Sequence, residues 1–131
     1  LEATMGGTYA WNYMDEAGVM HSINADGNTI LYDADRMTEI RRNVEDLLLS
    51  IDTFAVTLHF TVQPDEVKVL AWRYEGEKSA SEEIFFTDMS FRMDFGVEVY
   101  EVIAKWDTSR YYSGEVHYGF RFSTPEGVPN P

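Results

Sequence analysis

The feature that most constrains this chain is a short-range alternation of apolar and polar residues, cut by turn-forming clusters about every ten residues. Tyr9, Trp11 and Tyr13 alternate with Thr8, Ala10 and Asn12. Val56, Leu58, Phe60 and Val62 alternate with Thr57, His59 and Thr61. Val116, Tyr118, Phe120 and Phe122 form one apolar file, opposed by Glu115, His117 and Arg121. A period of two is the signature of a half-buried strand, because successive side chains leave opposite faces of a sheet.

The alternation can be followed along the whole chain. Residues 8–23 read as a hairpin turning at Asp15-Glu16-Ala17-Gly18, and Asp26-Gly27 marks a second tight turn. Val67–Tyr74 carries apolar groups on both faces, so Trp72 is expected to be largely buried, with Trp11 and Trp106 also in the core. Residues 75–83 read as a polar connection, followed by short strands at 84–86 and 89–93 around Thr87-Asp88. Val97–Trp106 and Glu115–Phe122 are the last two strands, joined by residues 107–114, "DTSRYYSG".

One segment departs from period two. Met37, Ile40, Val44, Leu47 and Leu48 share a helical face, and Asp35 is placed to cap the first amides. A short helical insertion is expected over Asp35–Asn43, while Leu47–Ile51 reads equally well as the beginning of a strand. The expected fold is therefore an all-β sandwich of about seven or eight strands with a short helical insertion. At 131 residues it fits one domain, residues 1–123, with residues 124–131 as a proline-rich tail or linker. No apolar run approaches the roughly 20 residues of a membrane helix. The chain begins at Leu1 without a charged and apolar leader, and the expectation is that any signal or anchor has been removed or lies outside it.

Charge and cysteine content narrow the function classes. A net charge of −13, from 23 acids against 10 scattered bases, disfavours nucleic acid and anionic membrane as partners. Without cysteine there is no thiol nucleophile, zinc ribbon or disulfide. Asp94-Phe95-Gly96 spells the magnesium triplet of kinases, but Lys105 follows it rather than precedes it, and a glycine-rich loop and a His-Arg-Asp loop are missing. A plain structural reading remains: Gly96 gives a tight approach to a strand. In immunoglobulin-like domains Asp-x-Gly-x-Tyr marks a tyrosine corner at this point. Here Glu98 stands at the tyrosine position and Tyr100 comes two residues later, so a strand start without the standard corner is expected, with the facing of Tyr100 open.

Other candidate chemistry is sparse. His21, His59 and His117 lie on polar strand faces and are expected to be unconnected rather than to gather a metal. Ser22, Asn24, Asp26 and Asp33 imitate a calcium loop around Gly27, but flanking strands and the residues at the first and last ligand positions favour a turn. The carboxylate pairs Asp15-Glu16, Asp33 with Asp35, Glu45-Asp46 and Glu82-Glu83 fall in polar connections where nothing desolvates them. No Gly-x-Ser-x-Gly elbow is present. The expectation is a non-enzyme without cofactor or metal. The binding candidates are Arg110, Tyr111 and Tyr112, exposed rings beside an arginine in a hairpin loop, suited to a protein or a glycan.

Four stretches, "GTYAW" (Gly7–Trp11), "PDEVKVLAW" (Pro64–Trp72), "GVEVYEVIAKW" (Gly96–Trp106) and "GEVHYGFRF" (Gly114–Phe122), resemble an immunoglobulin-like extracytoplasmic module of Firmicutes. Such modules occur in lipoproteins and in membrane metallopeptidases of the β-lactam-sensor/antirepressor type. The resemblance runs from Gly7 to Phe122 and rests on strand and turn signatures. It implies a sandwich outside the cytoplasmic membrane, fused to an anchor, with no catalytic residue of its own. Where the family has a proline- and glycine-containing lead into its central strand, this chain has "MTEIRRNVEDLLLSIDT". The expected role is that of a non-catalytic module of a bacterial surface or membrane-anchored sensor, acting in ligand sensing, protein contact or spacing. The alternative is a carbohydrate-binding module using its loop aromatics.

Overall fold

The computed structural model describes residues 2–25, 40–45, 47–52, 54–75, 78–94, 96–97 and 99–121. Nine strands are present among them: β1 (Glu2–Met14), β2 (Met20–Ala25), β3 (Leu47–Asp52), β4 (Ala55–His59), β5 (Glu66–Glu75), β6 (Lys78–Ile84), β7 (Ser90–Arg92), β8 (Val99–Trp106) and β9 (Tyr112–Phe120). All pairings are antiparallel. The larger sheet has the order β6-β5-β8-β9-β1-β2, and the smaller is built of β3, β4 and β7. The protein is an all-β sandwich.

One strand stitches the two sheets together. Tyr9–Tyr13 of β1 pair with β9, and then the register shifts between Met5 and Tyr9. Gly6 and Gly7 fall inside that shift, where missing side chains ease a bulge. Beyond it Glu2 and Ala3 pair with Leu48 and Leu47 of β3. β1 thus leaves the larger sheet and enters the smaller one.

The inward files of the two sheets make the core. Val69, Ala71, Tyr100, Val102, Ala104, Trp106, Val116, Tyr118, Phe120, Tyr9 and Trp11 come from the larger sheet. Leu47, Leu49, Val56, Leu58 and Phe91 come from the smaller, and Ile40 and Val44 join from the connection before β3. The rings interlock: Tyr100 stacks on Phe120 at 5.4 Å, and Trp11 meets Trp106 edge-on at 5.7 Å. Gly114 pairs with both Trp11 and Trp106, and a side chain there would collide with the Ala10 carbonyl at a φ of +142° that favours glycine.

Several expectations need correction. The residues expected to be a polar connection include a strand, β6, which runs to Ile84; Phe85 and Phe86 lie beyond it. An edge strand is held by backbone hydrogen bonds to one neighbour, so its side chains can be polar, and Ala80–Glu83 are exposed. The ambiguous Leu47–Ile51 stretch is strand β3, with Leu47 and Leu49 inward and Leu48 outward. Most of the segment expected to be helical, Asp35–Asn43, lies outside the described residues; its end is a single turn at Ile40–Asn43. Trp72 is only half-buried, because the parity of β5 sends Val69 and Ala71 inward and Leu70 and Trp72 to the outer face. The Asp26-Gly27 loop and the 124–131 tail also lie outside the described residues.

Tyr100 faces the core and is 1% exposed. Its hydroxyl accepts the Asp94 N–H at 2.7 Å and donates to the Asp94 carbonyl at 3.3 Å. The strand start is therefore tied to upstream backbone as in a tyrosine corner, from a position two residues later than the standard motif. Asp94 adds an ion pair with Arg73 at 2.7 Å and accepts the Gly96 amide at 3.1 Å, and these bonds hold its carboxyl below the usual range. Every letter of the kinase-like triplet that the structure describes serves this corner.

Candidate functional site

One end of the sandwich gathers the β1–β2 turn, the β8–β9 loop and the turn before β3. The β1–β2 connection is organised by a single side chain. Asp15 Oδ1 accepts the amides of Ala17 and Val19, both at 2.9 Å. Its Oδ2 accepts from His21 Nε2 at 2.7 Å. The His21 bond, with the amides, holds the Asp15 carboxyl below the usual range. Gly18, at φ +83°, supplies the left-handed residue that closes the turn. The ladder places His21 opposite Tyr13, and the two rings stack at 5.3 Å.

The β8–β9 loop docks against this turn. Met14 donates its amide to the Tyr111 carbonyl at 2.9 Å, and Tyr13 pairs with Tyr112. Asp65 fixes the far side of the loop, accepting the Asp107 amide at 2.7 Å and the Thr108 hydroxyl at 3.2 Å; the Asp107 amide lowers its pKa. The third part arrives by burial. Ile40 and Val44 sink into the core, and Asn43 is then aimed at Trp11, whose Nε1 donates to Asn43 Oδ1 at 2.9 Å. Tyr13, Met14, Asp15, Glu16, Ala17, His21, Arg42 and Asn43 line an open concavity of about 670 Å³.

The three residues expected to bind are separated by this geometry. Arg110 and Tyr111 are exposed, with the guanidinium 5.6 Å from the ring centroid in a cation–π contact. Tyr112 belongs to strand β9 rather than to the loop, is half-buried, and stacks on Trp11 at 5.6 Å. Tyr112 is thus part of the packing that supports the site, and Arg110-Tyr111 form an exposed rim beside it.

Chemically this end can stack a flat or weakly polar group on an aromatic ring and hydrogen-bond it at the rim. Asp15 is committed to the turn and to His21, so it shapes the site. Of the three histidines, His21 bonds Asp15, His59 bonds Ser50 on the smaller sheet, and His117 lies on the outer face of the larger one; they do not converge. Among the described residues no group of three or more His, Cys, Asp or Glu is placed to hold a metal. Of the carboxylate pairs, Asp15-Glu16 lines the concavity and Glu82-Glu83 lies on the edge strand; Asp33 with Asp35, and Asp46, fall outside the described residues. Nothing in the sequence alone brings Arg42 and Asn43 to this end, since their placement follows from the burial of Ile40 and Val44.

No known protein family matches the chain, and neither a curated protein nor a solved structure shows significant similarity to it.

Proposed function

We propose that the chain is a non-catalytic binding module, carried outside the cytoplasmic membrane by a surface or membrane-anchored bacterial sensor protein. It contacts its ligand or partner through the end of the sandwich where the β1–β2 turn meets the β8–β9 loop. The observation that carries this reading is the Tyr13–Asn43 concavity with the exposed Arg110-Tyr111 pair on its flank. Aromatic and arginine side chains concentrated on a rigid frame are what binding surfaces use. The extracytoplasmic setting rests on the resemblance to secreted immunoglobulin-like modules.

A photo-crosslinking residue at position 111 tests it in the parent protein's own cells. Capture of a partner from position 111, and none from position 59 on the opposite sheet, is the expected result. Equal capture from both positions, or none from either, overturns the assignment of this end.

A second reading, carbohydrate binding, is favoured by the Tyr13–His21 stack beside the rim groups Arg42 and Asn43. Stacked rings with planar polar neighbours suit a pyranose. Retention on cell-wall or host polysaccharide, weakened about tenfold by Tyr111→Ala (~1.4 kcal/mol), would support it. Retention unchanged in that variant would remove Tyr111 from the reading.

A further inference from the structure

The outer face of the larger sheet holds a buried carboxylate that the contact end does not use. Glu101 is 6% exposed and is the one buried charged residue among those described. Its direct neighbours are Leu70 on β5 and Gly119 on β9, neither of which can bond it. Its partners are diagonal, within reach of long side chains across a sheet. From β5, Trp72 Nε1 donates to Glu101 Oε1 at 3.0 Å. From β9, His117 Nδ1 bonds Glu101 Oε2 at 2.6 Å. The other nitrogen of the same ring, Nε2, lies 3.0 Å from Glu115 Oε2. The order is Trp72–Glu101–His117–Glu115 across three strands. Within it the His117 side chain is 13% exposed, whereas the Glu115 side chain is 48% exposed.

An imidazole can donate from both nitrogens only when it carries two protons. With one proton it serves one carboxylate and turns a lone pair toward the other. The two carboxylates are not equivalent, since stranding buried Glu101 costs far more than releasing exposed Glu115. We propose that His117 is a proton-operated clasp on this sheet, joining Glu101 and Glu115 while protonated and releasing Glu115 alone when the Nε2 proton leaves to solvent. The neutral ring keeps its proton on Nδ1, so the Trp72–Glu101–His117 part stays intact in both states.

The surroundings support the asymmetry. On the same face, β8 contributes Lys105 opposite Glu115, and β5 contributes Glu66 and Lys68. Glu83 on β6 lies beyond Leu70, Arg121 follows β9, and β1 presents the uncharged Ala10 opposite Glu115. Burial by itself pulls His117 down from 6.5, but its bonds to Glu101 and Glu115 outweigh this and raise it. A raised histidine stabilises the fold fully below its unfolded value near 6.5, and that contribution is lost as pH rises through the folded value. The clasp is therefore closed in acidic surroundings and opens toward neutral or alkaline ones.

Histidine-resolved NMR on the whole chain, over about pH 5 to 9, reads the device directly. The expected result is a His117 midpoint above 6.5, with the neutral ring protonated on Nδ1 and the Trp72 indole N–H resonance nearly unmoved. Glu115→Gln, a change at an exposed side chain, should lower the midpoint, keep the Nδ1 tautomer and shrink the fall in melting temperature across the transition. A wild-type midpoint below 6.5, a midpoint unmoved in Glu115→Gln, or a neutral ring protonated on Nε2 each overturns the clasp.

Discussion

Replacing Tyr100 with phenylalanine removes one oxygen atom and leaves the ring in place. The ring is 1% exposed and packs against Phe91 and Phe120, at 5.3 and 5.4 Å, so no cavity larger than the hydroxyl is opened. Lost are the 2.7 Å bond from the Asp94 amide and the 3.3 Å bond to the Asp94 carbonyl. An orphaned buried amide costs about 1–3 kcal/mol. The Asp94 side is open to solvent, so water recovers part of this and about 1–2 kcal/mol is expected. For a domain of this size that lowers the melting temperature by about 3–8 °C. Urea unfolding should show a lower midpoint at unchanged slope. The Asp94 amide should exchange with solvent about tenfold faster, the equivalent of ~1.4 kcal/mol. Tyr118→Phe is the control: its hydroxyl donates to the Glu45 carbonyl at a long 3.4 Å, and about 0.5 kcal/mol or less is expected. Burial pushes the Tyr100 phenol above its ordinary 10.0. Its proton therefore stabilises the fold below pH 10.0, and the advantage of wild type over Tyr100→Phe shrinks as pH rises through the folded value. Equal stability of the wild type and Tyr100→Phe, or an equal loss in Tyr118→Phe, would refute the corner.

Two further substitutions probe the frame and the buried carboxylate. Gly114→Ala forces a side chain onto the Ala10 carbonyl at positive φ, and about 2–4 kcal/mol should be lost; chemical denaturation showing less than about 1 kcal/mol would mean that β1 and β9 are not so closely apposed there. Glu101→Ala leaves the Trp72 indole N–H and the His117 imidazole without their shared acceptor, at a cost of about 3–5 kcal/mol. Glu101→Gln retains an acceptor and should cost less, so calorimetry ranking the two in the opposite order would contradict the hydrogen-bonded geometry.

The legibility of the fold differs from strand to strand for physical reasons. The strands that line the core announce themselves, because burying one face demands an apolar residue at every second position. β6 is silent: it pairs with β5 as an edge strand, Ala80–Glu83 are exposed and follow no alternation, and Ile84 at its end packs against the core. Trp72 misleads, since β5 is apolar on both faces and local sequence does not say which face meets the second sheet. At the end that carries the concavity the Asp15–Gly18 turn is readable, because one hairpin contains all its bonds. The separation of Tyr112 from Tyr111 is not, because it depends on where the β9 ladder with β1 begins.

The amino-acid sequence by itself determined the secondary-structure class, the central strands and the inward position of Trp11 and Trp106. Each of these follows from a residue's nature and that of its neighbours two positions away. Tertiary structure alone decided that Trp72, Glu101, His117 and Glu115 form one chain of bonds. Trp72 and Glu101 are 29 residues apart, and Glu101 and His117 are 16. Their meeting is set by the registers of β5 on β8 and of β8 on β9, and a slip of one residue in either would turn one partner to the opposite face. The same holds for Tyr100, whose hydroxyl reaches Asp94 only because the strand that carries it is seated in the core.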